Sequence, residues 1–447
     1  MSFTNKFEKI FKNLLPAPFT IAILLTFLTF FLALIITEPK NEVNHFIQIL
    51  QFWEKGLWNA PLLVFAIQMM LMLVLGHVLA LSSPIRKIIS KITKYCYNTA
   101  TAAAIITFFT ILVSFLNWGL GLVFGAIFAR QVGEYASKKK IKINYPLIGA
   151  SGYSGLMVWH GGISGSAPIK IAEEGHFLSN KIGVISQAET IFSSMNITIS
   201  IILIFTIPFI MYILGLKNPG KNIKLTSSNQ EKILTISGAE KLDHNNLLSK
   251  ITGGIILAYA FLKGIILPEN ISLNIITPNY INLILLGSAI IMHNNFFNFL
   301  KAIDNAISGV SGILIQFPLY FGIMGVMNHS GMVQIMSDFF VTISNETTFP
   351  IFTFISAGII NIFVPSGGGQ WAVQGPIIIE AATQLGINIP KSVMALAYGD
   401  QITNMLQPFW ALPLLGITGL KAKEILPFTL ILLITGSVIF IGGLLIF

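Results

Sequence analysis

Charge is what this 447-residue sequence has least of: Asp, Glu, Lys and Arg make up 10% of it, against about a quarter in ordinary soluble domains. A chain so poor in charge cannot cover a globular surface in water. Cysteine is nearly absent too, and Cys96 alone excludes a disulfide framework. Arg86 and Arg130 are the only arginines, so a net charge of +9 does not describe a nucleic-acid surface. No Gly-rich loop ends in Lys-Ser/Thr, which excludes a nucleotide-phosphate cradle, and no HExxH or Cys–His cluster suggests a metalloenzyme. His160 with Ser164 or Ser166 is the nearest approach to a reactive pair, and no third partner accompanies it. The expectation is a non-enzyme without a cofactor.

What fills the sequence is apolar: 54% hydrophobic residues and a mean hydropathy of +0.77. Uncharged runs near the length of a bilayer crossing recur along it. They predict nine spans, at 18–37, 60–82, 145–168, 189–214, 250–268, 276–294, 306–328, 391–416 and 424–446. Twenty-one of the 27 Lys and Arg residues fall on one side of this arrangement. Lys40, Lys55, Lys170, Lys181, Lys263 and Lys391 fall on the other. The positive-inside rule then places the amino terminus in the cytoplasm and the carboxyl terminus outside.

That count holds only if 100–136 and 348–386 are re-entrant hairpins. Each is interrupted by a polar, glycine-rich break: Asn117-Trp118-Gly119-Leu120-Gly121 in the first, Pro365-Ser366-Gly367-Gly368-Gly369-Gln370-Trp371 in the second. Lipid-exposed irregular backbone is forbidden, so such breaks survive where they line a cavity. Asn117 and Pro365 lie 248 residues apart, the same offset that relates Ala66-Ile67-Gln68 to Leu314-Ile315-Gln316. The predicted organisation is a first repeat over 1–216, a cytoplasmic linker over 217–249, and a connecting span with a second repeat over 250–447. One odd span between the repeats inverts the second, which is the architecture of alternating access. The fold class expected is therefore all-α and polytopic, two inverted-topology repeats each with a re-entrant hairpin and a broken helix.

Four breaks carry candidate chemistry. At the first, Asn117, Trp118 and Gly119 offer a carboxamide and close backbone amides. At the second, Ser366, Gly367, Gly368 and Gly369 cap a helix whose N-terminus favours an anion, with Gln370 and Trp371 as walls. The third, 159–168, supplies Ser164 and Ser166, and the fourth, 400–408, supplies Asp400, Thr403, Asn404 and Gln407. Asn117, Asp400, Thr403 and Asn404 are the candidate ligands of a coupling Na⁺ or, for Asp400, carriers of a proton. Asp400 has a second reading, as an interfacial residue near Lys391. His160 reads better as a hydrogen-bonded structural histidine than as a titrating one, and Arg130 as a topology anchor.

The sequence Phe363-Val364-Pro365-Ser366-Gly367-Gly368-Gly369-Gln370-Trp371-Ala372-Val373-Gln374-Gly375-Pro376 resembles the signature of the short-chain fatty acid transporter family, which includes bacterial acetoacetate/butyrate permeases. The likeness extends from Leu15-Pro16-Ala17-Pro18 through Asn117-Trp118-Gly119 and Gly161–Ser166 to Gln407–Pro413, nearly the whole chain. It implies a multi-pass carrier of the bacterial inner membrane, within a wider group of ion-coupled carboxylate transporters that pair re-entrant hairpins with an elevator-like domain, often as dimers. Asp400 departs from the Glu expected after Tyr-Gly in some relatives, and Gln370 and Trp371 sit beside a position expected to vary as His. The expected function is symport of a short monocarboxylate such as butyrate or acetoacetate with Na⁺ or H⁺. The alternatives are a cation/proton antiporter and a carrier of another small carboxylate. The expected partners are that substrate, the bilayer and a second copy of the chain, with no nucleic acid.

Overall fold

The computed structural model describes residues 18–39, 44–223, 225, 238–269, 272–308 and 310–447. Leu15–Ala17, much of the 217–249 linker, Lys6, Lys9, Lys12, Lys40, Lys224, Lys232 and the side chain of Phe409 lie outside the described residues. Among the described residues every regular element is helical, apart from one isolated bridge between Ile143 and Lys221.

The first half contains α1 (Pro18–Ile36), α2 (His45–Leu57), α3 (Ala60–Ala80), α4 (Ser83–Thr93), α5 (Thr99–Leu116) and α6 (Trp118–Lys139). It continues with α7 (Tyr145–Tyr153), two 3₁₀ turns, α8 (Ser166–Ile171) and α9 (Ser194–Lys217). Helix α10 (Asn246–Phe261) leads to the second half, which holds α11 (Pro278–Met292), α12 (Phe296–Ile307), α13 (Ser311–Ser330), α14 (Met332–Ile343) and α15 (Thr348–Phe363). It ends with α16 (Gly367–Gln384), α17 (Ile389–Thr403), α18 (Pro408–Thr418) and α19 (Ala422–Ile446). The order long helix, amphipathic helix, two-armed hairpin, broken helix, long helix occurs in both halves, the first four members about 250 residues apart and the last somewhat closer.

Seven helices among the described residues are long and apolar enough to cross a membrane. One is Thr99–Leu116, read above as a hairpin arm; by length and composition it would also suffice as a span. Helices α2, α4, α12 and α14 were not expected. Each has 11–13 residues with an apolar and a polar face, too short for a crossing and hidden between the longer runs. Phe27, Phe205, Phe209 and Val438 stand more than 60% exposed on the outside of the bundle, as lipid-facing residues do.

Two bodies of helices pack against each other. In one, α9 lies along α5 and α19, and α15 along α17; in the other, α13 packs on α1 and α2, and α3 on α11. The bodies meet where α3 crosses α6 and where α16 crosses α13 and α14. Asparagine caps eight helices among the described residues: Asn44, Asn59, Asn98, Asn117, Asn144, Asn245, Asn295 and Asn388 each accept from an amide of the first turn. A neutral cap satisfies an orphan amide without burying a carboxylate, which helps explain how so few acids suffice.

Candidate functional site

Both hairpins turn inside the bundle. Asn117 ends α5 and caps α6, its Oδ1 accepting from the Leu120 amide at 2.7 Å and its Nδ2 donating to the Met72 carbonyl at 3.4 Å. Residues 72–76 lie in the second half of α3, so the tip packs against the body of that helix and not against its end. Contact is tight: a Cβ on Gly76 would stand 2.1 Å from Asn117 Oδ1. Ser366 caps α16 in the same way, Oγ accepting from the Gly369 amide at 3.3 Å. Beside it Gly368 faces Phe65 of α3 and Phe317 of α13.

Four helices begin around one small cavity. Trp118 opens α6, Ser166 opens α8, Gly367 and Gly368 open α16, and Trp410 stands in the first turn of α18; all five line it. Met69, Leu156, Trp159, Ile313, Phe317, Ser366 and Asn404 complete the wall. A helix N-terminus carries roughly half a positive charge. Here the Trp118, Ala167 and Gly369 amides are already taken by Ser164 Oγ, His160 Nε2 and Ser366 Oγ. The field of the helix ends, rather than a full set of unpaired amides, is therefore what would attract an anion to a cavity that no Lys or Arg lines. Its apolar side is a cluster of indoles, with Trp118 5.6 Å from Trp159 and 5.3 Å from Trp410 between ring centres. The cavity measures about 20 Å³, room for about one water. A four-carbon acid therefore requires the tips and the indoles to separate.

Beneath the second tip lies a buried acid. Asp400 Oδ2 pairs with His160 Nδ1, both side chains at 1% exposure or less. The Ala167 amide donates to His160 Nε2 at 3.0 Å, which makes that nitrogen the acceptor and leaves the ring hydrogen on Nδ1, pointing at the carboxylate. Asp400 is thus buried inside the bundle and paired there. His160 is hydrogen-bonded on both ring nitrogens, as expected of it.

Thr403 and Asn404 face a different residue. Asn361 Nδ2 lies 2.7 Å from the Asp400 carbonyl, 3.0 Å from Thr403 Oγ1 and 3.1 Å from Asn404 Oδ1. Gln407 Nε2 donates to the Asn361 carbonyl. Asn361 Oδ1 and Gln407 Oε1 are both buried without a partner, the sort of oxygen that suits a hard cation. Asn361 was missed in the sequence because it sits near the end of an apolar arm, four residues before Pro365 and outside the glycine-rich break. A buried amide within such a run was the available signal.

The sequence candidates therefore divide. Trp118, Ser166, Ser366, Gly367, Gly368 and Asn404 line the cavity. Asn117, Gly119 and Ser164 support it from behind: Ser164 Oγ accepts from the Trp118 amide at 3.0 Å, and Gly119 lies against Leu73 of α3. Gly369 packs on Tyr320. Gln370 turns back to the Ala357 carbonyl and Gln374, and Trp371 is wholly buried toward Phe177, so neither walls the cavity. Arg130 pairs with Glu134 at 2.8 Å, one turn along its own helix.

A second, wider cavity of about 940 Å³ shares Ile313 and Trp410 with the first. It runs between the two bodies from Leu73 past His77 to Leu81, and Arg86 and Lys301 stand at its wall without any Asp or Glu. Ile313 and Trp410 thus stand between the small cavity and the wider one, which extends toward the end of the bundle that carries Arg86.

The family model described as "Short chain fatty acid transporter" matches residues 2–447. The chain belongs to that family. It is 37% identical over 440 residues to a protein of Escherichia coli K12 and 40% identical over 449 residues to one of Haemophilus influenzae, each named as a candidate short-chain fatty acid transporter. These alignments cover 96–97% of this chain and 96% of each relative. Among solved structures, the YdaH transporter of Alcanivorax borkumensis, described as having an unusual topology, superposes with a TM-score of 0.64 at 13% identity over 96% of this chain and 97% of its own. At that identity the likeness concerns the fold alone. The family member described here is a multi-pass, all-helical transporter of short-chain fatty acids.

Proposed function

We propose that this protein is a symporter that takes up short-chain monocarboxylates such as butyrate or acetoacetate, without altering them, across the bacterial inner membrane. The observation that carries the reading is the convergence of four helix N-termini on one indole-lined cavity. Amides at the tips would bind the carboxylate, and Trp118, Trp159 and Trp410 its alkyl chain. The body holding both hairpins would slide elevator-like past the other, exposing the cavity to alternate sides. In this reading 1–216 and 250–447 are inverted repeats of a homodimeric carrier. The amino terminus is cytoplasmic, the carboxyl terminus periplasmic, and the 940 Å³ cavity is the cytoplasmic vestibule.

Two sites support different coupling ions. The Asp400–His160 pair supports a proton, because carboxylate and imidazole already share one hydrogen. The unpartnered oxygens of Asn361 and Gln407, beside Thr403 and Asn404, support Na⁺. Uptake of labelled butyrate and acetoacetate into proteoliposomes, with pH and Na⁺ gradients imposed separately, decides between them. Accumulation above equilibrium under one gradient, with unchanged acid recovered, is the expected result. Cation/proton exchange without carboxylate movement would overturn symport in favour of an antiporter. Ser366→Ala and Asn117→Leu should abolish uptake while the protein stays monodisperse.

A further inference from the structure

Lys170 is the one Lys or Arg side chain buried among the described residues, at 3% exposure. It was expected in an external loop. Instead it lies on α8, one turn beyond Ser166 and on the same face. Its Nζ donates to Glu173 Oε2 and, at 3.3 Å, to Gln68 Oε1 of α3, and stands 5.3 Å from the centre of the Phe65 ring. Gln68 Nε2 donates to Glu173 Oε1 at 2.7 Å and to Asn279 Oδ1 of α11 at 3.1 Å. Every polar atom of the Gln68 side chain is thereby used to tie α8 of one body to α3 and α11 of the other.

Position along α3 gives this cluster its meaning. Residues 65 and 68 belong to the cluster, Met69 lines the small cavity, and Leu73, His77 and Leu81 line the vestibule. Cluster, cavity and vestibule thus follow one another along a single helix. The cluster closes the side on which the vestibule does not open. Gln316, 248 residues after Gln68 and a turn beyond vestibule residues Gly312 and Ile313, makes no side-chain hydrogen bond among the described residues. A buried ion pair contributes little net stability and is best retained where it switches.

We infer that Gln68, Glu173 and Asn279 are the outer lock of the transport path, and that Lys170 is a substrate-binding residue the lock conceals. Resting on the transport reading above, the inference adds a step to it. When the bodies part, Lys170 loses Gln68 and exchanges Glu173 for the carboxylate of an arriving anion. One turn of helix then separates that carboxylate from Ser166 and the cavity.

The test uses full-length protein in proteoliposomes. Burial raises the pKa of the Cys96 thiol to about 12, so it reacts slowly, and Cys96→Ala removes it. In that background Gln68→Cys with Glu173→Cys is bridged by a short bifunctional methanethiosulfonate. Bridging should lower butyrate uptake at least tenfold, and reduction should restore it; unchanged uptake overturns the lock. Lys170→Gln should raise KM for butyrate about tenfold and Lys170→Arg much less; an unchanged KM in Lys170→Gln overturns the role of Lys170. Thiol labelling of Ser311→Cys in the vestibule needs no substrate, so it reads the lock even if the unmodified protein carries no monocarboxylate. Gln68→Leu in place of the bridged pair should lower that labelling, because the released bodies leave the state in which the vestibule is open; unchanged labelling overturns the lock.

Discussion

Gly367 has no room for a methyl group. A Cβ there would stand 2.7 Å from Trp159, 2.9 Å from Asp400 Oδ2 and 2.9 Å from His160 Cε1, all of them buried. Gly367→Ala is therefore expected to reduce proteoliposome uptake more than tenfold in protein that still elutes as a single species. Asp400→Asn keeps the shape of the acid and removes its charge. Uptake should then cease to follow an imposed pH gradient, while exchange of labelled for unlabelled butyrate continues; gradient-driven accumulation in the variant would exclude Asp400 from coupling. Trp118 stands at 5.3 and 5.6 Å from two other indoles around a cavity of about 20 Å³. Trp118→Ala should shift preference toward six-carbon acids, measured as the ratio of kcat/KM for hexanoate and butyrate.

At the scale of elements, the hairpin tips depend on their caps. Loss of an N-cap side chain costs about 1 kcal/mol, and Asn117 also fastens the tip to α3 through the Met72 carbonyl. The loop between α8 and α9 has its own fastening: His176 Nε2 donates to the Gly183 carbonyl at 2.8 Å and Nδ1 accepts from the Leu178 amide at 3.2 Å. Burial, the largest influence, holds the pKa of His176 below its ordinary value. A histidine kept neutral stabilises the fold fully above its unfolded pKa and progressively less as pH falls through it. Exchange of the Leu178 amide, corrected for its intrinsic rate, should accelerate as pH drops below about 6.5. Pattern reading found the long helices and both hairpins to within a few residues, since apolar runs and polar breaks are written in composition. It passed over α2, α4, α12 and α14, whose amphipathic faces have meaning only against neighbours.

For the whole molecule, the wide cavity extends toward Arg86 and Lys301 and is parted from the small one by Ile313 and Trp410. Gly416→Cys on the vestibule wall should react with a membrane-impermeant thiol reagent in inside-out vesicles and resist it in right-side-out ones; the opposite pattern would reverse the proposed orientation. Composition determined the membrane class, and the breaks at Asn117 and Ser366 named both tips, because bilayer chemistry acts on each segment locally. Which polar residues would meet was not local. Asp400 found His160 240 residues away, and Lys170 left the expected loop for a buried cluster with Gln68. Those pairings arise from helices crossing at depth, and a buried charge goes where a partner stands, which only the packed bundle could decide.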